Sequence, residues 1–335
     1  MGQIRDVAAR AGVSVASVSR VLAGHPGVRE ETRRRVLEAV KALDYRPDLA
    51  ARRLRSRRTD TIGLIVADIR NPFFTEVSRA VEDVTYERRM RLILCNTDED
   101  PEREQSCLEL MQDENVSGVI LAASLRLLSG FRTAAYPFPL VLVDRCEPDT
   151  AADAVMLDNV EAARALTTHV IENGHRRILF LHGASSATGR QRLEGYTAAM
   201  AAHGLAPEAV AVAPVVDRSR EVAQLLLARP SLPHAVLASS GLILLGLSQA
   251  LRDASRSVPN DVAIGGFDDL PWTRLVDPGV TVIAQPTYDI GRAAAELLLQ
   301  RISDPDRPFR RIVLRGELMV RGSSAAATPA SPHLT

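Results

Sequence analysis

The chain has 335 residues, 46% of them hydrophobic, with 41 basic and 41 acidic side chains. That length supports two or three folding units with real cores. The zero net charge hides an asymmetry, because residues 1–60 carry 14 basic against 7 acidic side chains. Positive charge is therefore concentrated where a nucleic acid would lie, and the remainder is a mildly acidic body.

The three cysteines, Cys95, Cys107 and Cys146, are odd in number and show no CxxC spacing, so neither a disulfide framework nor a zinc site is indicated. Free thiols in a reducing cytoplasm are expected, with no metal and no cofactor. The N-terminus shows no apolar signal-peptide core, and no run approaches the roughly 18 apolar residues of a membrane span. The expectation is a protein that stays inside the cell.

Gln3 to Leu22, QIRDVAARAGVSVASVSRVL, is predicted as two short helices, Ile4 to about Ala11 and Val15 to about Leu22, joined by Gly12-Val13-Ser14. Gly12 can take the positive φ that ends the first helix, and Ser14 can cap the second. On a helical wheel Val18, Val21 and Leu22 share the face that packs on the first helix. Ala16 and Arg20 point the opposite way, with Ser17 and Ser19 on the flanks. This is the grammar of a helix-turn-helix. Such an outer face suits the DNA major groove: Arg20 can donate a bidentate pair to guanine, while Val15 and Ala16 can touch a thymine methyl and the serines can meet phosphates. An amphipathic helical hairpin with a solvated face would carry the same pattern.

Glu30 to Leu43 is predicted as a third helix, with Val36, Leu37, Val40 and Leu43 at helical spacing, ending before Pro47. The next segment, DLAARRLRSRRT, sets five arginines around Leu54. So much like charge should stay largely unfolded until an anion neutralises it, and Leu54 can then wedge between base steps in a minor groove. A solvated basic linker is the plainer alternative.

With IRDVAARAGVSVASVSRVL, HPGVREETRRRVLEAVKALDYRP and LAARRLRS in hand, residues 3–59 resemble the DNA-binding headpiece and hinge of the LacI/GalR (lactose-repressor) family. The resemblance implies that Val15, Ala16 and Arg20 read the major groove, and that Ser17 and Ser19 help hold phosphates. It also implies that Asp48 to Arg55 folds as a hinge helix on DNA, where Leu54 and its dimer mate pry open a central step. A Val-Ala-Arg reading set goes, in the family, with pseudo-palindromes centred on CG. Ser17 stands where threonine is usual, which keeps the hydroxyl. Arg29 replaces the usual capping serine of the third helix, which weakens that cap.

From Thr61 onward apolar runs alternate with amphipathic helices: IGLIVA, LILC, GVILA, LVLVD, ILFLHG, AVLAS, VAIGGF and TVIA, beginning near residues 62, 92, 118, 140, 178, 235, 262 and 280. Such runs predict parallel strands covered on both faces, wound by right-handed crossovers. There are too many for one compact sheet, so two similar subdomains are expected, with a break near Asp158-Asn159.

Ligands in such sheets bind beyond the carboxyl ends of the strands, here the cleft between subdomains. Phe73 and Phe74 follow the first run, Asp144 and Arg145 the fourth, and Thr188, Arg190 and Arg192 the run at 178. Asp268, Asp269 and Trp272 follow the run at 262. Acids, arginines and aromatics around one cleft suit a polar ring such as a sugar or nucleoside. Each could instead be a structural ion pair, a cap or, for Phe74, plain core.

The resemblance extends over this body through DIRNPFF, LCNTDEDPEREQ, VDR, ENGHRRI, RLEGY, GFDD and VIAQP. It implies an all-α helix-turn-helix headpiece with a hinge helix, followed by an α/β periplasmic-binding-protein-like core of two doubly wound parallel-sheet subdomains. The bounds expected are 1–46 for the headpiece, 47–60 for the hinge, 61–160 with 286–317 for the first subdomain, 161–285 with 318–324 for the second, and 325–335 for a flexible tail. It implies effector contacts from Phe73, Phe74, Asp144, Arg145, Thr188, Arg192 and Asp268. Two departures matter: Ser239-Ser240-Gly241 stands where the family has Asn-Asp, and APVVDRSREV near 214 lacks the usual aromatic. Both put a simple hexose in doubt.

The expected protein is a transcriptional regulator, a repressor rather than an enzyme. It would bind a pseudo-palindromic operator as a homodimer under control of a carbohydrate-like effector. An enzyme would need a nucleophile and base, a phosphate loop or a metal cluster. GASSATG lacks the P-loop lysine, Gly265-Gly266 is too short for GxGxxG, and the histidines form no ligand motif. A transport solute-binding protein would have no use for the basic headpiece.

Overall fold

The computed structural model describes residues 3–22, 27–45, 59–183 and 186–326. Two compact units separate at Thr59. In the first, α1 (Ile4–Ala11), α2 (Val15–Leu22) and α3 (Glu30–Ala42) bury Val7, Val18 and Val36 completely, with Ala8, Ala11, Val21 and Ala39 closing the core. Gly12 sits at φ 61°, left-handed, and ends α1 by donating its N–H to Ala8 and Ala9 carbonyls. Ser14 Oγ accepts the Ser17 N–H at 3.1 Å and so caps α2. Asp6 reaches back to the Gln3 N–H at 2.7 Å. Arg29 makes no side-chain cap on α3.

The second unit holds two six-stranded sheets. In chain order its elements are β1 (Thr61–Val66), α4 (Pro72–Glu87), β2 (Arg91–Asn96), α5 (Pro101–Asp113), β3 (Gly118–Leu121), α6 (Leu125–Leu128), β4 (Leu140–Val143) and β5 (Asp153–Leu157). The chain then crosses to α7 (Asn159–Glu172), β6 (Ile178–Gly183), α8 (Ala187–Ala202), β7 (Glu208–Val212), α9 (Val216–Leu227), β8 (Ala235–Ala238), α10 (Gly241–Asp253), β9 (Ala263–Phe267), α11 (Pro271–Leu275) and β10 (Thr281–Ala284). It returns with α12 (Thr287–Ser303) and β11 (Arg311–Leu314), and ends with β12 (Glu317–Met319).

The first sheet runs β11-β5-β4-β3-β1-β2 and the second β12-β10-β9-β8-β6-β7. Five strands thus repeat one order in both sheets, all parallel, and only the last differs: β11 joins β5 in parallel, β12 joins β10 antiparallel. The central strands are buried from end to end, as parallel strands covered by helices must be. No helix among the described residues is long and apolar enough to cross a membrane.

Three expected bounds shift. Glu317 pairs with Ala284 and so lies in the second sheet rather than the first. Asn159 and Val160 open α7, which packs against α8 closely enough that a Cβ on Gly195 would lie 2.1 Å from the Val160 carbonyl; they too belong to the second subdomain. Ala325 is not part of a loose tail, since its carbonyl accepts from His175 Nε2 at 3.1 Å.

Candidate functional site

On the headpiece, Ala16 and Arg20 are exposed while Val15, Ser17 and Ser19 are half-buried. The outer face of α2 therefore presents the side chains that the helical wheel sets opposite Val18. Arg20 is lightly held, by a 3.4 Å contact from Nε to the Ala16 carbonyl, and its fork is available. Ser17 Oγ lies 2.9 Å from Ser14 Oγ, so its hydroxyl belongs to the cap network. Leu54 and Arg55 lie outside the described residues.

In the core, a cavity of about 240 Å³ opens between the subdomains and is lined by the segments that follow β1, β2, β4, β6, β7, β8, β9 and β10. Every one is a carboxyl end, as doubly wound sheets require of their ligand crevice. Phe73, Phe74, Asp144, Arg145, Thr188, Arg192 and Asp268 all line it. The two phenylalanines meet edge to face with ring centres 5.0 Å apart. They are 4% and 2% exposed, so Phe74 serves core and cavity together. Asn71 Oδ1 accepts the Phe73 N–H at 3.1 Å, and Pro72 opens α4, which sets both rings at the cavity wall.

Arg145 is clamped. Its Nη1 and Nη2 donate to the Glu99 carboxylate at 2.7 and 2.5 Å, and its Nε donates to Asp144 at 3.1 Å. Burial works against its charge, but Glu99 and Asp144 more than offset that and raise its pKa. Burial pushes the Asp144 carboxyl up. Arg192 donates Nε to Asn159 Oδ1 at 2.7 Å and Nη1 to the Ser239 carbonyl at 2.5 Å, while its guanidinium lies 3.9 Å over the Phe267 ring. Burial lowers its pKa, with Asp268 and Asp144 opposing. Asp268 accepts from the Gly241 N–H at 2.7 Å and from Gln285 Nε2 at 2.6 Å. Gln285 Oε1 is buried without a partner among the described residues, where a polar atom ordinarily finds one.

The loop after β6 leads into α8, where Ser186 Oγ accepts the Gly189 N–H at 3.1 Å and touches Thr188 Oγ1 at 3.0 Å. Gly189 is required here, because a Cβ would lie 1.8 Å from the Gly183 carbonyl. Arg190 turns out of the cavity to Glu147.

One expectation is corrected. Trp272 does not line the cavity; it is half-buried against the apolar cluster of the second sheet with Val280, Val282 and Met319. Its large apolar surface gains more there than beside the carboxylates that line the cleft. Asp269 likewise binds Arg274 and Arg321 instead of the cavity. Three contributors escaped the residue-by-residue reading: Glu99, Gln285 and Asn159. Glu99 and Gln285 follow the ends of β2 and β10, the same signal that singled out the others.

A family model described as "Bacterial regulatory proteins, lacI family" matches residues 3–48, and one described as "Periplasmic binding protein-like domain" matches residues 167–324. A ribose operon repressor of Halalkalibacterium halodurans is 34% identical over 96% of this chain and 96% of its own length. The crystal structure of a LacI-family regulator from Enterococcus faecium with bound ribose aligns with a TM-score of 0.71 at 26% identity, covering 80% of this chain and 100% of that one. The lac repressor dimer bound to operator and an anti-inducer aligns with a TM-score of 0.87, over 97% and 99% of the two chains. At 22% identity that last likeness speaks to the fold.

Proposed function

This chain belongs to the LacI family of bacterial transcriptional regulators, and from that premise we propose a repressor that binds a pseudo-palindromic operator as a homodimer and is switched by a small sugar-like effector in the cleft between its core subdomains. The observation that carries this reading is the pairing of two surfaces in one chain. One is an α2 outer face of Ala16 and exposed Arg20; the other is a cleft walled by Phe73, Phe74, Asp144, Arg192, Asp268 and Gln285.

Val15, Ala16 and Arg20 read base edges, and Ser17 and Ser19 lie beside phosphates. Two such helices on a two-fold axis require a near-palindromic site. Residues 47–60 act as the hinge, with Leu54 as minor-groove wedge and Arg55 on the backbone. Relatives named for ribose, and a ribose-bound structure in the family, support a sugar class of effector. The cavity, at about 240 Å³, is smaller than the roughly 300–1,000 Å³ typical of drug-sized ligands and suits one small ring. The effector acts by its differential affinity for two arrangements of the subdomains, typically about 1–3 kcal/mol, and the same linkage serves induction or corepression. Acting on chromosomal DNA, the protein works in the cytoplasm.

The test is selection of random duplex DNA on the purified protein at about 150 mM salt, followed by sequencing. A palindrome of roughly 14–20 base pairs with CG at its centre is expected. Recovery of no motif, with and without metabolite extract, would refute sequence-specific reading.

A further inference from the structure

The first two turns of α8 present two working faces. Thr188 and Arg192, one turn apart, line the cavity. Ala187, Arg190 and Gln191 do not, and their i, i+3, i+4 spacing puts them together on the neighbouring side of the helix. Although α8 belongs to the second subdomain, this side meets the first. Ala187 is 1% exposed and packs into an apolar cluster of β1, β3, β4 and β5 whose every other member belongs to the first subdomain. Gln191 Nε2 makes a long contact, 3.5 Å, with the Cys146 carbonyl, and the Arg190 guanidinium pairs with the Glu147 carboxylate.

Glu147 stands between β4 and β5 on a segment that is held to its own subdomain. Arg311 of β11 donates Nη2 to the Glu147 and Thr150 carbonyls at 2.9 and 2.7 Å, and the Thr150 N–H closes a turn on the Glu147 carbonyl at 3.2 Å. The carboxylate is therefore offered from a fixed loop. An exposed ion pair loses much of its strength to the ordering of two free side chains, and here the packing of Ala187 and the grip of Arg311 have already fixed both backbones. Glu147 and Arg190 keep 31% and 55% of their side-chain surface, so the pair can part without stranding a buried charge. By contrast, the buried pairs Arg145–Glu99 and Arg301–Asp153 each stay within the first subdomain.

We infer that Glu147 and Arg190 clasp the two core subdomains together at the rim of the cleft, and that their pairing biases how tightly the protein holds operator DNA. The route is α8. One face of its first two turns lines the cavity and the next carries the clasp, so any shift of the helix that moves Thr188 and Arg192 also moves Arg190 against Glu147. Breaking the pair changes the balance between arrangements of the subdomains, and only that difference can reach the DNA. The link to DNA rests on the reading of the chain as a repressor governed by its subdomain arrangement; the clasp itself does not.

The experiment is hydrogen exchange read by mass spectrometry on the full-length protein, comparing wild type, Glu147→Arg, Arg190→Glu and the double variant that exchanges the two charges. Native-state exchange reports how readily a segment opens. Each single reversal is expected to speed exchange about two- to fivefold in peptides spanning 144–152 and 186–193, the range that an exposed pair is worth. The double variant should return to the wild-type rate, and unchanged peptides across β6 and β8 would show that the core stays folded. Single variants without effect overturn the clasp, and acceleration that the double variant does not reverse overturns charge pairing as its cause. On the operator recovered by selection, fluorescence anisotropy should show both single variants shifted by about twofold or more in the same direction, with the double variant restored. Unshifted operator affinity beside faster exchange overturns the link to DNA and leaves the clasp. Failure to recover any operator defeats the repressor reading and that link with it, whereas the exchange result still decides the clasp.

Discussion

Asp144 and Asp268 are counterparts. Each is the first residue after its strand, β4 or β9, and each adopts a left-handed backbone, φ 67° and 73°. Each donates its N–H to the neighbouring strand, Asp144 to the Val155 carbonyl and Asp268 to the Ile283 carbonyl, at 3.0 and 2.9 Å. A conformation that L-residues seldom take thus recurs at the same place in both subdomains, and both carboxylates line the one cavity. Asp tolerates this region better than most residues, and strained backbone at a binding wall is held by its surroundings. Asp98 and Glu99, at φ 52° and 61°, add two more such residues on the same wall.

Asp268→Asn keeps the left-handed conformation and one acceptor but loses the charge that Gly241 and Gln285 address. Effector affinity is expected to fall by about 1.5–3 kcal/mol, the worth of a hydrogen bond to a charged group, with the thermal midpoint little changed. Asp268→Ala should lose stability as well, because alanine is poorly suited to positive φ. Calorimetry beside thermal melts separates the two effects, and equal affinity of Asp268→Asn and wild type would remove Asp268 from the binding wall.

Arg20→Ala should cost about 1–3 kcal/mol at the selected operator and relax preference at one base position per half-site. The headpiece should stay folded, since Arg20 is exposed and the core is built from Val7, Val18 and Val36. Fluorescence anisotropy on the selected operator and single-base variants checks this; wild-type affinity would refute the groove assignment.

Asp153, fully buried, accepts Arg301 Nε and the Arg310 N–H, both at 2.8 Å, and ties α12 and the start of β11 to β5. Asp153→Ala leaves a buried guanidinium uncompensated and is expected to destabilise the core by about 3–5 kcal/mol. Urea denaturation of the core unit measures it, and a loss below 1 kcal/mol, about what a surface pair contributes, would contradict the burial argument.

Glu104, 3% exposed, accepts from the Ser124 N–H and Oγ at 2.7 and 2.5 Å. Burial nevertheless outweighs those bonds and raises its pKa. The folded state then holds the proton better than the unfolded chain. The resulting contribution to stability is full below the unfolded pKa and is lost as pH rises through the folded one. Glu104→Gln should therefore gain on wild type between about pH 4.5 and about pH 7.5. Urea midpoints at both pH values test it, and a gap that does not change would refute the shift.

The headpiece was legible in the sequence almost residue by residue, because its structure is local. Gly12, Ser14 and the spacing of Val18 and Val21 act within one or two turns of themselves. Most of the buried strands were legible for a related reason, since a strand covered on both faces shows as an unbroken apolar run; β5, buried throughout but opened by Asp153, was not among the runs read. The last two strands were not. β11 and β12 are short and half-exposed, so they carry no such run, and the pairing of Glu317 with Ala284 moved that residue from the first sheet, where it was expected, to the second. Strand ends named most of the cleft wall, but which strand-end residue turns inward depended on partners far along the chain. Glu99 meets Arg145 across 46 residues, Asn159 meets Arg192 across 33, and Trp272 is drawn to apolar neighbours instead of the cavity. The sequence by itself determined most of the elements and the family, because these rest on short-range periodicity and local motifs. Only the tertiary structure decided which charges are paired and which side chains turn into the cleft, because those depend on strand order bringing distant residues into contact.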